Sequence, residues 1–113
     1  MTVTNFETQS IEQAAGAVRE FRRRLIDRAG FGIANSAGEL ANEENGVWVA
    51  TTYAGGEYEL VVWTRDDTDR NRDRRIFRVT AQLLQAHPGY LEDIFLHVVR
   101  GAQADYDGPG LRP

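Results

Sequence analysis

Gly46-Val47-Trp48-Val49-Ala50-Thr51-Thr52-Tyr53, then Ala54-Gly55-Gly56, then Glu57-Tyr58-Glu59-Leu60-Val61-Val62-Trp63-Thr64: this stretch decides the fold. Both arms are rich in β-branched and aromatic residues, which suit a pleated surface, and the Gly-Gly pair between them supplies the positive φ angles of a two-residue hairpin turn. With Gly55 and Gly56 as the turn, Ala54 faces Glu57, Tyr53 faces Tyr58, Val49 faces Val62 and Trp48 faces Trp63. One face then carries Val47, Val49, Thr51 and Tyr53 beside Tyr58, Leu60, Val62 and Thr64. The other carries Trp48, Ala50 and Thr52 beside Glu57, Glu59, Val61 and Trp63. A slip of one residue would exchange the two sets, so the hairpin has one sensible register.

Working outward, residues 10–29 read as a helix. Ile11, Ala14, Val18, Phe21 and Leu25 recur at three- and four-residue steps and share one face. Ser10-Ile11-Glu12-Gln13 has the form of a capping box that opens this helix, and Gly30, shortly after Arg28, suits its end. Phe31-Gly32-Ile33-Ala34-Asn35 fits a short strand, and residues 36–45 read as a loop. Residues 65–75 mix acids with arginines and read as a loop or a fraying helix start. The next segment, 76–87, fits two periods. Ile76, Thr80, Leu83 and His87 recur with helical spacing, whereas Ile76, Phe77 and Val79 favour a strand over 75–80; the helical reading is preferred. Pro88-Gly89 breaks the chain and suits a helix start. Beyond it, Leu91, Ile94, Phe95, Val98 and Ala102 mark a last helix over 89–104.

The expected architecture is a single α+β domain over residues 1–104. A small antiparallel sheet is built on hairpin 46–64, with 31–35 or 75–80 as a further strand, and packs against an N-terminal helix 10–29 and C-terminal helices 76–87 and 89–104. Residues 105–113, which include Gly108-Pro109-Gly110, read as an extended or disordered tail.

Composition narrows the chemistry. At 113 residues, 42% hydrophobic and 27% charged, the chain lies in the range of a one-core globular domain. Without cysteine it can form no disulfide, thiolate nucleophile or Cys-ligated metal site. All 13 basic residues are arginines, and the absence of lysine excludes a Schiff base or a P-loop lysine. A net charge of −4 argues against general nucleic-acid binding. Met1-Thr2-Val3-Thr4-Asn5-Phe6 lacks the basic-then-apolar pattern of a signal peptide, and no run approaches the roughly 20 apolar residues of a membrane span. The expectation is a cytoplasmic protein without membrane contact.

No motif in the chain names a function. The paired tryptophans are the best lead. Trp48, Ala50, Val61 and Trp63 make an apolar patch with Glu57 and Glu59 as a polar rim, the make-up of a protein interface. The leading expectation is a non-catalytic protein-binding module (an adaptor, inhibitor, chaperone-like or assembly subunit) whose partner is another protein or a second copy of itself. A second reading is a nucleic-acid-associated regulator using Arg22, Arg23, Arg24, Arg70, Arg72, Arg74 and Arg75. Against it, Arg22 to Arg24 point in different directions on a helix, and Glu20 and Asp27 stand four residues from Arg24 and Arg23, the spacing of helical ion pairs. A third reading is a small enzyme or ligand-binding protein using His97, with Asp93 one turn before it. Asp67, Asp69 and Asn71 match the start of a calcium loop, but Arg72 and Arg78 stand where glycine and glutamate are required. Neither a nucleophile elbow nor a metal-ligand spacing is present. No catalytic residue, cofactor or metal is expected.

Overall fold

A computed structural model describes residues 2–64, 74–100, 106 and 108–112, and the side chains of residues 2–8 lie outside that description. In chain order the elements are α1 (Thr2–Arg28), β1 (Gly32–Ile33), β2 (Leu40–Asn42), β3 (Val47–Ala54), β4 (Glu57–Thr64), β5 (Arg75–Val79), α2 (Ala81–Ala86) and α3 (Tyr90–Val99). The five strands form one sheet in the order β1-β2-β3-β4-β5, every neighbouring pair antiparallel. This is an α+β fold: a meander between one long N-terminal helix and two C-terminal helices.

The central hairpin has the expected register. Tyr53 pairs with Tyr58, Val49 with Val62 and Trp48 with Trp63. Gly55 and Gly56 adopt φ angles of 61° and 80°, the left-handed pair that turns two strands back without splaying them. On the inner face Val47, Val49, Leu60 and Val62 are fully buried. They meet Ala14, Val18, Phe21 and Leu25 of α1 and Tyr90, Ile94 and Val98 of α3 in one core. Each such aliphatic side chain stabilises the fold by about 1.5–3 kcal/mol through removal from water.

Three boundaries differ from the sequence reading. α1 begins at Thr2, not near residue 10, so Ser10 lies inside the helix and the capping box does not form. Residues 2–9 contain no Pro or Gly, and each further helical residue adds one hydrogen bond once the amphipathic part is nucleated. Gln13 instead accepts from the side-chain amide of Gln85 at 3.3 Å, joining α1 to α2. Within the supposed loop 36–45, Leu40–Asn42 forms β2, with Leu40 fully buried opposite Val49.

Residues 75–79 are strand, not the start of a helix 76–87. Pairing along β4 satisfies the hydrogen bonds of that edge, and the two-residue period sends Phe77 and Val79 into the core while Ile76 and Arg78 face outward. The helix begins only at Ala81, where the Thr80 hydroxyl accepts the Leu83 amide at 3.1 Å as an N-cap. α3 runs from Tyr90 to Val99; residues 101–105, where the sequence reading continued it, lie outside the described residues.

The described part of the C-terminal segment lies against the outer edge of β5. Leu111 forms an antiparallel bridge with Phe77, the Arg78 amide donates to the Gly110 carbonyl, and the Arg112 amide donates to the Ile76 carbonyl, both at 2.8 Å. Gly110 has φ +86°, and a β-carbon there would overlap the buried Tyr90 ring and its hydroxyl, so only glycine lets the chain cross at this height. That hydroxyl donates to the Arg78 carbonyl at 2.6 Å.

Candidate functional site

The outer face of the sheet holds a second apolar cluster, whose described members are all strand residues. It contains Ala50, Val61 and Trp63, with Trp48 and Ile76 packed beside them. Trp48 and Trp63 stack across the β3–β4 ladder, their ring centroids 6.0 Å apart and inclined by 26°. The Arg74 guanidinium lies 5.4 Å from the Trp63 ring centre, a cation–π contact. Trp63 is left only 9% exposed, whereas Trp48 is half-buried. Among the described residues, none of α1, α2 or α3 belongs to this cluster.

Along the same face, towards the hairpin turn, apolar contact gives way to ion pairs. Glu57 accepts two hydrogen bonds from Arg78, at 2.7 Å from Nε and 2.6 Å from Nη2, in a bidentate fork. The Arg78 hydrogen bonds hold the Glu57 carboxyl below its ordinary value of 4.5 against the opposing effect of burial. Glu59, nearly buried, accepts from Arg112 and from the Thr52 hydroxyl. Arg112 also lies 3.9 Å from Glu57, so it bridges the two carboxylates.

The six residues read as an interface thus share one face, but they divide into two kinds. Trp48, Ala50, Val61 and Trp63 make the apolar end. Glu57 and Glu59 are not an open polar rim: their carboxylates are held by Arg78, Arg112 and Thr52. Arg78, Arg112 and Ile76 have no place in the interface expected from sequence, because 76–87 reads there as helix and 105–113 as tail; Arg74, a nucleic-acid candidate in that reading, lies instead over Trp63. The usable signal was the alternation of Ile76 and Arg78 with Phe77 and Val79, which has period two.

The arginines of the nucleic-acid reading are dispersed. Arg23 pairs with Glu20, on the same helix. Arg24 pairs with Glu92 of α3 at 2.6 Å and lies over the Phe95 ring, so neither of the ion pairs expected from four-residue spacing forms. The Arg22 guanidinium lies by Gly38, Arg74 is over Trp63, and Arg75 contacts His97; Arg70 and Arg72 lie outside the described residues, as do Asp67, Asp69 and Asn71.

His97 is 6% exposed, with Phe77 and Tyr106 as ring neighbours, each with its centroid 5.9 Å away. Its Nε2 lies 2.8 Å from Arg75 Nη1; since Arg can only donate, the imidazole accepts and is neutral. Burial first, and the Arg75 charge second, push the His97 pKa below its ordinary 6.5. Among the described residues Asp93 makes no hydrogen bond with His97; its charge instead raises the Tyr106 hydroxyl, whose main cause of elevation is burial.

An open cleft of about 420 Å³ lies beside the hairpin turn, with Ile11, Tyr53 and Val79 as apolar walls and Ser10, Glu57 and Thr80 as polar ones. Glu57, the one charged side chain among the described residues lining it, is held by Arg78. Among the described residues no three His, Asp or Glu side chains gather closely enough to hold a metal ion, and no helix is long and apolar enough to cross a membrane. Comparison with protein-family models, curated proteins and solved structures finds no match to this chain.

Proposed function

We propose that this chain is a non-catalytic protein-binding module that docks through the outer face of its sheet, on another protein or on a second copy of itself. One observation carries the reading: a stacked tryptophan pair with Ala50, Val61 and Ile76 forms, among the described residues, a cluster on the sheet face opposite the helix-packed core. Tryptophan concentrates binding energy because it removes a large area from water with few rotamers to freeze. The neighbouring carboxylates support the same reading. Glu57 and Glu59 are already matched by arginines, so covering them would leave no lone charge in a low-dielectric contact.

The half-buried Trp48 is the place to test it. Trp48→Arg puts an unpaired cation on the open part of the patch. Sedimentation equilibrium should show wild-type self-association that Trp48→Arg abolishes, with far-UV circular dichroism unchanged. If wild type is monomeric at all concentrations, a photo-crosslinking residue at exposed Thr52 should trap a distinct cellular protein that Trp48→Arg no longer traps. A monomer whose Thr52 crosslinks are the same with and without Trp48 ends the proposal.

A further inference from the structure

The turn between β2 and β3 sets an asparagine directly before a glycine. Of the five asparagines in the chain, Asn45 alone precedes glycine; the others precede Phe6, Ser36, Glu43 and Arg72. Gly46 has no side chain to keep its nitrogen away from a neighbouring carbonyl carbon. Asn45 is exposed, as are Glu43 and Glu44 before it. Its Oδ1 accepts the Val47 amide at 3.2 Å, an Asx turn that folds the carboxamide back along the Gly46 peptide. Its Nδ2 has no hydrogen-bond partner among the described residues.

The other two asparagines with described side chains are tied at that nitrogen. Asn35 Nδ2 donates to Glu39 at 2.7 Å, and Asn42 Nδ2 donates to the Ala29 carbonyl at 2.8 Å. In both, Oδ1 also accepts backbone amides, from Ala37 and Glu39 in one and from Glu44 and Asn45 in the other. A carboxamide fixed at both ends cannot rotate to meet the next backbone nitrogen. Asn45 is fixed at one.

We propose that Asn45 is a site of self-modification, at which the Gly46 nitrogen displaces ammonia from the side chain and opening of the turn sets the pace. The Gly46 nitrogen gives its proton to solvent and bonds to Asn45 Cγ. The Cγ–Nδ2 bond breaks, and Nδ2 takes up a proton and leaves as ammonia. Water then opens the cyclic imide. Cleavage between the Gly46 nitrogen and Cγ leaves aspartate, and cleavage between that nitrogen and the Asn45 main-chain carbonyl carbon leaves isoaspartate. The Val47 amide favours the first step by drawing electrons from Cγ through Oδ1. One contact opposes it: the Gly46 amide donates to the Asn42 carbonyl at 2.9 Å, and a nitrogen held there cannot turn to Cγ. The reaction therefore waits for local opening of an exposed turn, which costs far less than global unfolding. Either product adds a carboxylate beside Glu43 and Glu44. Isoaspartate also inserts an extra main-chain carbon where the β2–β3 ladder ends at the Asn42–Val47 pair.

Peptide mass spectrometry of the full chain, held in mildly alkaline buffer, reads the conversion of amide to acid at each asparagine. Methyl transfer by an isoaspartate carboxyl methyltransferase is the probe for the rearranged product. Conversion should be at least about tenfold faster at Asn45 than at Asn35 or Asn42. In guanidinium chloride, where the fold no longer matters, Gly46→Ala should slow it at least about tenfold. Wild type should convert at least about threefold faster in guanidinium chloride than in native buffer, since no hydrogen bond then holds the Gly46 nitrogen. Equal conversion at the three asparagines, an unchanged rate in Gly46→Ala, a converted chain that accepts no methyl group, or a wild-type rate that the denaturant leaves unchanged would each overturn the proposal.

Discussion

The two faces of one sheet are built from the same strands and solve different problems. On the inner face Val47, Val49, Leu60, Val62, Phe77 and Val79 are all fully buried in the core they share with the helices. On the outer face the same strands present Trp48, Trp63, Ala50, Val61 and Ile76 at one end and Glu57, Glu59 and Arg78 at the other, where Arg112 of the C-terminal segment joins them. The inner face gains by excluding water behind a second layer. The outer face, with no helix residue in its cluster among the described residues, relies on large flat rings that shield one another and on carboxylates matched to arginines. Burial of a side chain is therefore no guide to its duty here. Trp63 is as hidden as a core residue, but among the described residues its apolar neighbours are those of its own face.

Truncation of one aromatic on each face tests this difference most strongly. Phe77→Ala should cost about 4 kcal/mol in urea unfolding, since it opens a cavity bounded by helix, strand and the C-terminal segment. Trp63→Ala should cost less, roughly 2–3 kcal/mol, because among the described residues the ring packs only against its own sheet face. Equal losses would show that the outer cluster is a second core, and the docking proposal would then lose its basis.

A smaller effect sharpens the contrast at the charged end. Glu57→Gln should cost roughly 0.5–1 kcal/mol at low salt and less at high salt, because both partners are partly exposed and screened. The folded pKa of Glu57 is depressed, so this contribution is present above the ordinary carboxylate value of 4.5 and is lost as pH falls through the folded value. Acid titration of wild type and Glu57→Gln should give curves that converge at low pH. Curves that stay parallel would mean the Arg78 fork does not stabilise the fold.

Much of the hairpin was legible because both of its signals are local. The Gly55-Gly56 pair dictates the turn, and alternation over sixteen residues leaves one register in which both faces make sense. Residues 75–79 were not legible for the opposite reason. Arg75-Ile76-Phe77-Arg78-Val79 runs into a true helix with Thr80 at the junction, so a window spanning both segments mixes two periods. What makes the first part a strand is the unpaired edge of β4, a partner more than ten residues away. The candidate site was half legible: the tryptophan stack follows from the register, but the arginines that hold Glu57 and Glu59 come from that misread strand and from the segment after α3. Their contacts span 21 and 53 residues, beyond the reach of any local pattern.

The strand order, identical to the chain order, has a kinetic consequence. Every ladder in the sheet joins sequence neighbours, so each pairing closes a short loop and loses little chain entropy before its contacts form. The β3–β4 hairpin can assemble within about 1–10 μs, while contacts such as Gln13 with Gln85, 72 residues apart, must wait for both ends of the chain to arrive. The sheet is thus the natural nucleus, with α1 and the C-terminal helices closing over it later. In stopped-flow experiments Val61→Ala should slow folding, whereas Leu25→Ala, on a helix that docks late, should chiefly speed unfolding.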